Sequence, residues 1–511
     1  MGDLAGIIEK LDYLSWLGAD GIWLSPTMPS PNTDWGYDVS DYYGVDPTLG
    51  TMADMDRLID QASQRGIAVL LDLVPNHTSS AHPWFVDALT GQGAVHRDYY
   101  VWAPPKPGGG PPNNWSDGTD ATAWAYDPAS GEYYLHNFLP TQPDLNWWEP
   151  RVHREFERVL RYWFERGVAG FRIDVAHGLY KDADLRDNPP SQPNDHPASL
   201  WAGLRTIYSS HRPEVHKLYQ RWREIADSYG PPRVLLGETW EFDFNRLGDY
   251  YGREVPELHM GFNFPFAFSQ LRVPELAQAV NATLGAFPPG ATPVWTASNH
   301  DIGRFPTRWC KDDQRAVRAA LVLLTTLPGT LVLYYGDELG MGDVDVPPGR
   351  QLDQMSLAHP ERPGRDRCRT PMPWSPGSNG GFAPPGAHPW LPLGEHATTN
   401  VQSQRDDPGS VLNLCRHLLA LRRSGQVART GQIESLFLDE QVWVFRVAGT
   451  VTAVNLSGER ASARLGAGRS FVLLAETGQP FRAEKTLPGS AMTETVLDLG
   501  PWEALVLSEY A

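Results

Sequence analysis

Apolar and polar positions along this chain repeat one unit: a stretch with helical spacing, then a short solid apolar run that ends on polar residues. The first stretch covers residues 4–17 and sets Ile7, Ile8, Leu11 and Leu14 on one face, with Gly18 and Gly21 marking its end. That three-and-four spacing predicts an amphipathic helix. An apolar run at 21–26 then predicts a strand, followed by a polar loop at 32–43 that contains Asp34-Trp35-Gly36-Tyr37-Asp38. A second helix at 52–65 leads to the apolar run 67–74, which passes into Pro75-Asn76-His77. The unit returns as helix 151–166 before 168–173, which closes on Asp174, and as helix 214–229 before 233–237, which closes on Glu238. Fainter runs lie at 258–264, at 293–298 ahead of Asn299-His300-Asp301, and at 330–335 ahead of Gly336-Asp337-Glu338.

Strands alternating with helices of ten or more residues predict parallel β/α units. Seven strands are visible, where a closed (β/α)8 TIM barrel has eight. A doubly wound open sheet competes, but it collects polar residues at one switch point. Here they follow nearly every strand, so the barrel is preferred. Two passages break the repeat. Residues 78–147 hold no long helix and are rich in Pro, Gly, Trp and Tyr, so they read as an irregular domain inserted over the barrel mouth. A Pro/Gly-rich passage at 371–392 reads as a loop excursion. After helix 411–424 the pattern shifts to short alternating runs at 441–447, 451–455, 471–474 and 504–508, which predict an antiparallel β-domain of sandwich type. The expected organisation is a catalytic barrel over 1–77 and 148–410, the inserted domain over 78–147, a last barrel helix and linker over 411–431, and a C-terminal β-domain over 432–511.

Composition narrows the function classes. A net charge of −18 argues against nucleic acid, because phosphate recognition needs basic patches. Nineteen tryptophans supply flat apolar faces that stack on sugars as readily as they fill cores. Cys310, Cys368 and Cys415 are odd in number and widely spaced, which fits neither a disulfide framework nor a metal cluster. No apolar run approaches the roughly 20 residues of a membrane span. The N-terminus has no basic-then-apolar leader pattern, so a cytoplasmic location and no membrane partner are expected.

The chemistry sits at the strand ends. Arg172 and Asp174 stand two residues apart at the tip of an apolar strand, where the guanidinium can hold and aim an ionised carboxylate. That arrangement suits a nucleophile, and equally a structural ion pair. Glu238 ends a second apolar strand beside Trp240, so desolvation should raise its pKa and keep a proton available for acid catalysis. One charged and one neutral carboxyl group on neighbouring strands match glycosidic cleavage: about 5–5.5 Å apart for retention, about 6.5–9.5 Å for inversion. Neighbouring tips favour retention. Asp301 is a third acidic tip that can grip vicinal hydroxyls as a sugar ring flattens, and His77 and His300 can donate to the same hydroxyls. Metal chemistry is the rival, but no His-x-x-x-His or tight ligand cluster is present.

These residues resemble the α-amylase superfamily of retaining α-glycosidases, and within it the α-glucosidase and oligo-1,6-glucosidase branch. Four separated motifs match in order: Asp72 to His77, Gly170 to His177, Gly237-Glu238-Thr239, and Asn299-His300-Asp301. Gln142-Pro143-Asp144-Leu145-Asn146, the Asp34 to Asp38 loop and the late arginine loop Arg365 to Trp374 extend the likeness over nearly the whole chain. The resemblance implies Asp174 as nucleophile, Glu238 as acid/base and Asp301 as transition-state stabiliser, with Tyr37 as a stacking platform under the terminal glucose. It implies that Asp34 with a late arginine (Arg369 first, Arg365 as the alternative) closes the pocket for exo action on short oligosaccharides or disaccharides. Arg172, His77 and His300 complete that subsite, and Phe138 and Gln142 lie near the leaving sugar. Packing alone is an equal reading of Phe138.

The family's first barrel strand and its metal-binding loop would precede Gly2 to Ile7, and they are absent from the printed chain. The expectation is an N-terminally truncated barrel with poor stability and reduced activity, its structural Ca/Mg site lost with that loop and no cofactor required for catalysis. In this branch Val after the nucleophile accompanies α-1,6 specificity and Thr-Ala accompanies α-1,4. Val175-Ala176 mixes the two, and short α-1,4 substrates such as maltose are favoured. Transglucosylation, sucrose or maltose isomerisation and oligo-1,6-glucosidase action are the alternatives, and a monomer or homodimer is expected. Non-catalytic transporter-accessory relatives lose the carboxylates and carry an anchor, unlike this chain.

Overall fold

The computed structural model describes residues 2–359, 364–466, 470–478, 486–487 and 495–510. Seven parallel strands are built from the apolar runs: β1 (Gly21–Leu24), β2 (Ala68–Leu73), β3 (Gly170–Ile173), β4 (Val234–Gly237), β5 (Met260–Gly261), β6 (Val294–Trp295) and β7 (Thr330–Leu331). They lie side by side in chain order. Ladders join β1 through β5, a single bridge from Phe262 to Val294 joins β5 to β6, and β6 pairs with β7. Among the described residues no ladder links β7 back to β1. The later strands are shorter than the apolar runs that predict them. The apolar runs continue beyond Gly261, Trp295 and Leu331, where the ladders end.

Helices between the strands start and stop where their ends can be satisfied. Asp3 caps Leu4–Leu17 by accepting from Gly6 N, and Gly18 ends it at φ +100°. Thr51 and Asp54 form a reciprocal capping box on Met52–Gln64. Pro150 opens Pro150–Glu165, where a missing N–H costs nothing. That helix buries Val152, Phe156, Val159, Leu160, Trp163 and Phe164 against β2 and β3 in the main core. None of the helices among the described residues is long and apolar enough to cross a membrane.

Register, more than strand identity, decides what stands next to what. Asp72 pairs with Arg172, and Leu73 pairs with Ile173. Ile173 in turn pairs with Gly237. The residues just past those pairs, Asp174 and Glu238, therefore emerge side by side, and each donates its backbone N–H to the strand before it: Asp174 to Leu73 O at 2.8 Å, Glu238 to Ile173 O at 2.9 Å. Strand side chains repeat every two residues, so Arg172 and Asp174 point the same way. Gly170 lets β3 and β4 approach, since a Cβ there would sit 2.3 Å from Val234 O.

Two excursions roof the carboxyl ends of these strands. One is a three-stranded antiparallel sheet of Trp102–Ala103, Trp124–Asp127 and Glu132–Leu135 over its own small core around Trp115 and Trp124. The other, after β3, is a feature the sequence pattern does not flag. Residues 182–210 fold back on the first excursion: Trp115 Nε1 donates to Arg186 O at 2.8 Å, and Asn114 Nδ2 to Asn188 O at 2.9 Å. The hairpin Leu200–Trp201 and Leu204–Arg205 hangs from it over the pocket. C-terminal to the barrel, a six-stranded antiparallel sheet packs its Trp443 and Phe445 face onto the buried helix Gln314–Thr326.

Candidate active site

The strand tips converge on one guanidinium. Arg172 is 1% exposed. Its Nη1 donates to Asp72 Oδ1 at 3.0 Å and to Asp174 Oδ1 at 2.5 Å, and its Nη2 lies 2.9 Å from Glu238 Oε2. Trp23 and Tyr37 cover its faces, with ring centroids 4.9 and 5.8 Å from the guanidinium carbon. Asp174 and Glu238 meet through Arg172, which contacts both carboxyl groups. Glu238 Oε2 further accepts the Val175 N–H at 3.0 Å. Val175 itself stands at φ +45°, a conformation a β-branched residue rarely takes. Trp240, two residues past Glu238, stands at φ +23°. Strained backbone follows both central carboxylates, as is common where surrounding packing over-determines a site.

One cation serving three buried carboxyl groups changes the expected charge state. Arg172 does not simply hold Asp174 ionised. Burial pushes Asp174 well above the usual carboxylate range, and its neighbours Glu238 and Asp72 add to that rise against the pull of Arg172. Burial and the nearby Asp301 raise Glu238 as well, and burial lifts Asp72 to about 7. All three shifts favour the protonated form of these carboxyl groups. Asp301 behaves oppositely. Burial alone would raise it, but His300, Arg365, Arg369 and Arg172 outweigh burial and hold it well below its usual range.

Arg365 and Arg369 divide the acidic rim between them. Arg365 Nη2 donates to Asp34 Oδ1 at 3.1 Å and its Nη1 to Asp301 Oδ1 at 3.2 Å. Arg369 bonds Asp301 Oδ1 at 3.0 Å and His300 O at 2.8 Å. The arginine that joins Asp34 is therefore Arg365, and Arg369 is spent on the Asp301 side. A short 3-10 turn, Asp366–Cys368, lies between them and brings both guanidinium groups to the pocket. Gln142 Nε2 donates to Asp34 Oδ2 at 3.2 Å, which ties the inserted domain to the same corner.

Tyr37 lies parallel to His300, centroids 5.4 Å apart and 7° between planes, and its hydroxyl reaches Asp72 Oδ2 at 3.0 Å and His300 Nε2 at 2.7 Å. Burial lowers His300 to about 3 and lowers His77 too, so both are neutral hydrogen-bonding groups at neutral pH. His77 Nε2 meets Tyr37 O at 3.0 Å. Phe138 stands 5.2 Å from the His77 ring and 5.8 Å from Trp201, further out along the same cleft. Of the site residues expected from the sequence, all except Arg172 and Arg369 line one cavity of about 340 Å³, at the low end of small-ligand sites. Asp72 also belongs to the cluster by position. Its signal in the sequence is its place at the end of β2, opposite Arg172, which only the strand register reveals. Among the described residues no group of three or more His, Cys, Asp or Glu is arranged to hold a metal ion.

The family described as "Alpha amylase, catalytic domain" matches residues 1–431. The chain is 38% identical over 446 residues to a probable alpha-glucosidase of Rhizobium meliloti (strain 1021), covering 85% of this chain and 80% of that protein. It is 34% identical over 480 residues to an oligo-1,6-glucosidase of Heyndrickxia coagulans, covering 86% and 84%. Among solved structures it resembles the alpha-glucosyl transfer enzyme XgtA, with a TM-score of 0.90 and 36% identity, over 99% of this chain and 95% of that one.

Proposed function

The chain belongs to the α-amylase family of glycoside hydrolases, and from that premise we propose that it is a retaining, exo-acting α-glucosidase of short α-glucosides. The observation that carries this reading is the shared guanidinium: Arg172 touches Asp72, Asp174 and Glu238 at once. Such a site can aim one carboxylate at an anomeric carbon while a second, proton-bearing carboxyl group faces the leaving oxygen. Asp174 forms a β-glucosyl ester as Glu238 protonates the departing sugar. Water then adds at the same carbon, Glu238 takes its proton, and Asp174 leaves as the carboxylate. Asp301, held ionised by two arginines, binds ring hydroxyls more tightly as the ring flattens. The Asp34–Arg365 pair ends the cavity behind the terminal sugar, which supports exo action. Side-chain carboxyl and guanidinium groups carry every proton and charge in this scheme, so it calls on no cofactor.

For linkage, the mixed Val175-Ala176 pattern after Asp174 favours maltose over isomaltose. Transfer of glucose to a sugar is a close second outcome, because the ester needs only a hydroxyl in place of water; the likeness to an alpha-glucosyl transfer enzyme supports it. The test is to incubate the protein with maltose, isomaltose, sucrose and 4-nitrophenyl α-glucoside, and to follow products by NMR. Release of glucose first as the α-anomer is expected, and Asp174→Asn should abolish turnover while the circular dichroism spectrum stays unchanged. First release of the β-anomer, or turnover by folded Asp174→Asn, overturns the assignment.

A further inference from the structure

A second, smaller cavity of about 20 Å³ lies against the first and shares Val175, His177, Trp201 and Trp240 as a common wall. Its far side is polar: Asn137, Thr206, Ser209, Ser210 and His211. Two of its lining residues each hold a side-chain atom buried with no hydrogen-bond partner, Asn137 Oδ1 and His211 Nδ1. Glu241 Oε2 stands 3.4 Å from His211 Nδ1, an ion-pair distance without hydrogen-bond geometry. A buried polar atom left alone costs about 1–3 kcal/mol, and two on residues lining one polar cavity point to a shared occupant. The space admits a single water, which needs roughly 10–15 Å³ and two to four polar partners. The partition next to it carries Glu238: His177 Nδ1 lies 3.3 Å from Glu238 O, and His211 N donates to His177 O at 2.7 Å.

We propose that this alcove is a water site supplying the hydrolytic half of the reaction, with Asn137 and His211 as its positioning residues. The inference rests on the glucosidase reading above. It adds that water reaches the acid/base side from behind the wall at Val175 and His177, apart from the mouth through which sugars enter. In the step it feeds, a water oxygen bonds the anomeric carbon, the bond from that carbon to Asp174 breaks with its electron pair returning to Asp174, and Glu238 takes the water proton. The alcove therefore sets the balance between hydrolysis and transfer. Glucosylation, which uses no water, is untouched by it.

The test uses the full chain with 4-nitrophenyl α-glucoside and maltose as acceptor, comparing nitrophenol release with free glucose. In His211→Phe and Asn137→Leu the ratio of transfer to hydrolysis should rise about fivefold, the factor one typical hydrogen bond is worth. Nitrophenol kcat/KM at low substrate should stay within about twofold, and His211→Asn should restore part of the hydrolysis. A ratio unchanged in folded variants overturns the proposal while leaving the glucosidase reading intact. Should the variants fail to fold, a high-resolution crystal structure of the parent decides: an ordered water bonded to Asn137 Oδ1 and His211 Nδ1 supports the proposal, and a dry alcove overturns it. No turnover of any α-glucoside by the parent fails the glucosidase reading, and the hydrolytic role falls with it.

Discussion

Replacing Asp72 by Asn should move the acid limb of the pH profile downward. Asp72 and Asp174 accept from the same nitrogen of Arg172, at 3.0 and 2.5 Å. Those two bonds limit the separation of the accepting oxygens to at most 5.5 Å. Two unit charges that far apart repel by about 3 kcal/mol at an effective dielectric of 20, which is about two pKa units. Burial raises Asp174 well above its usual range, and the charge of Asp72 adds to that rise. Removing that charge therefore lowers the Asp174 pKa. Asparagine keeps the side-chain volume and one acceptor for Arg172, so the change is mainly one of charge. In the family mechanism Asp174 acts ionised, and a lower Asp174 pKa therefore extends activity to lower pH.

The assay is kcat/KM for 4-nitrophenyl α-glucoside against pH, which reports the groups of the free enzyme. The acid limb should fall by about one to two pH units in Asp72→Asn. Loss of the Tyr37 hydroxyl's charged partner will also lower the plateau, because Tyr37 Oη bonds Asp72 Oδ2. The limb and the plateau are separate readouts. A limb that stays within about 0.3 unit, or moves up, would refute the claim that Asp72 and Asp174 compete for Arg172.

Three further outcomes follow from the same geometry. Arg365→Met removes a charge-assisted bond to Asp34 and another to Asp301, and kcat/KM for maltose should fall about 10- to 100-fold, with Arg369→Met differing by acting on Asp301 and not on Asp34. Lys181 and Asp144 form a buried ion pair at 2.8 Å, so Lys181→Met should cost about 3–5 kcal/mol of unfolding free energy in urea, and Lys181→Met with Asp144→Asn should recover part of it; equal stability of the parent and the single variant would contradict this. His216 bonds Glu257 at 2.7 Å, and although burial alone would lower its pKa, that bond raises it above the unfolded value. Its stabilisation is fully present below the unfolded pKa near 6.5 and is lost as pH rises through the folded value, so the Tm gap between parent and His216→Gln should be wider at pH 5.5 than at pH 8.5.

Much of this architecture was legible because the deciding signals are local. An apolar run ending on a charged residue marks a parallel strand and its carboxyl tip without any knowledge of pairing, and β1 to β4 appear where those runs stand. The short strands β5 to β7 were placed but overextended, since apolar residues such as Phe264, Ala297 and Leu333 continue past the last ladder bond. The second excursion at 182–210 left no trace in periodicity. It has no amphipathic repeat of its own and is held by long-range bonds such as Asn114 Nδ2 to Asn188 O. Charge state and ion pairing were hidden for the same reason. Which of two arginines four residues apart meets Asp34 depends on how the turn at Asp366–Cys368 presents them.

The surroundings of Asp174 are the sharpest case, and they separate two kinds of information. Arg172 two residues before an aspartate argues for an ionised carboxylate only if the guanidinium has no other claimants. Strand register brings Asp72 opposite Arg172 and Glu238 beside Asp174, so three carboxyl groups draw on one cation and burial decides the remainder. Such a cluster is poised. Burial raises both Asp174 and Glu238 against the pull of the Arg172 guanidinium they share. Val175, at φ +45°, also gives its backbone N–H to Glu238. The backbone of the residue after Asp174 is therefore held against Glu238. Any effect of position 175 on linkage preference must act within that backbone constraint.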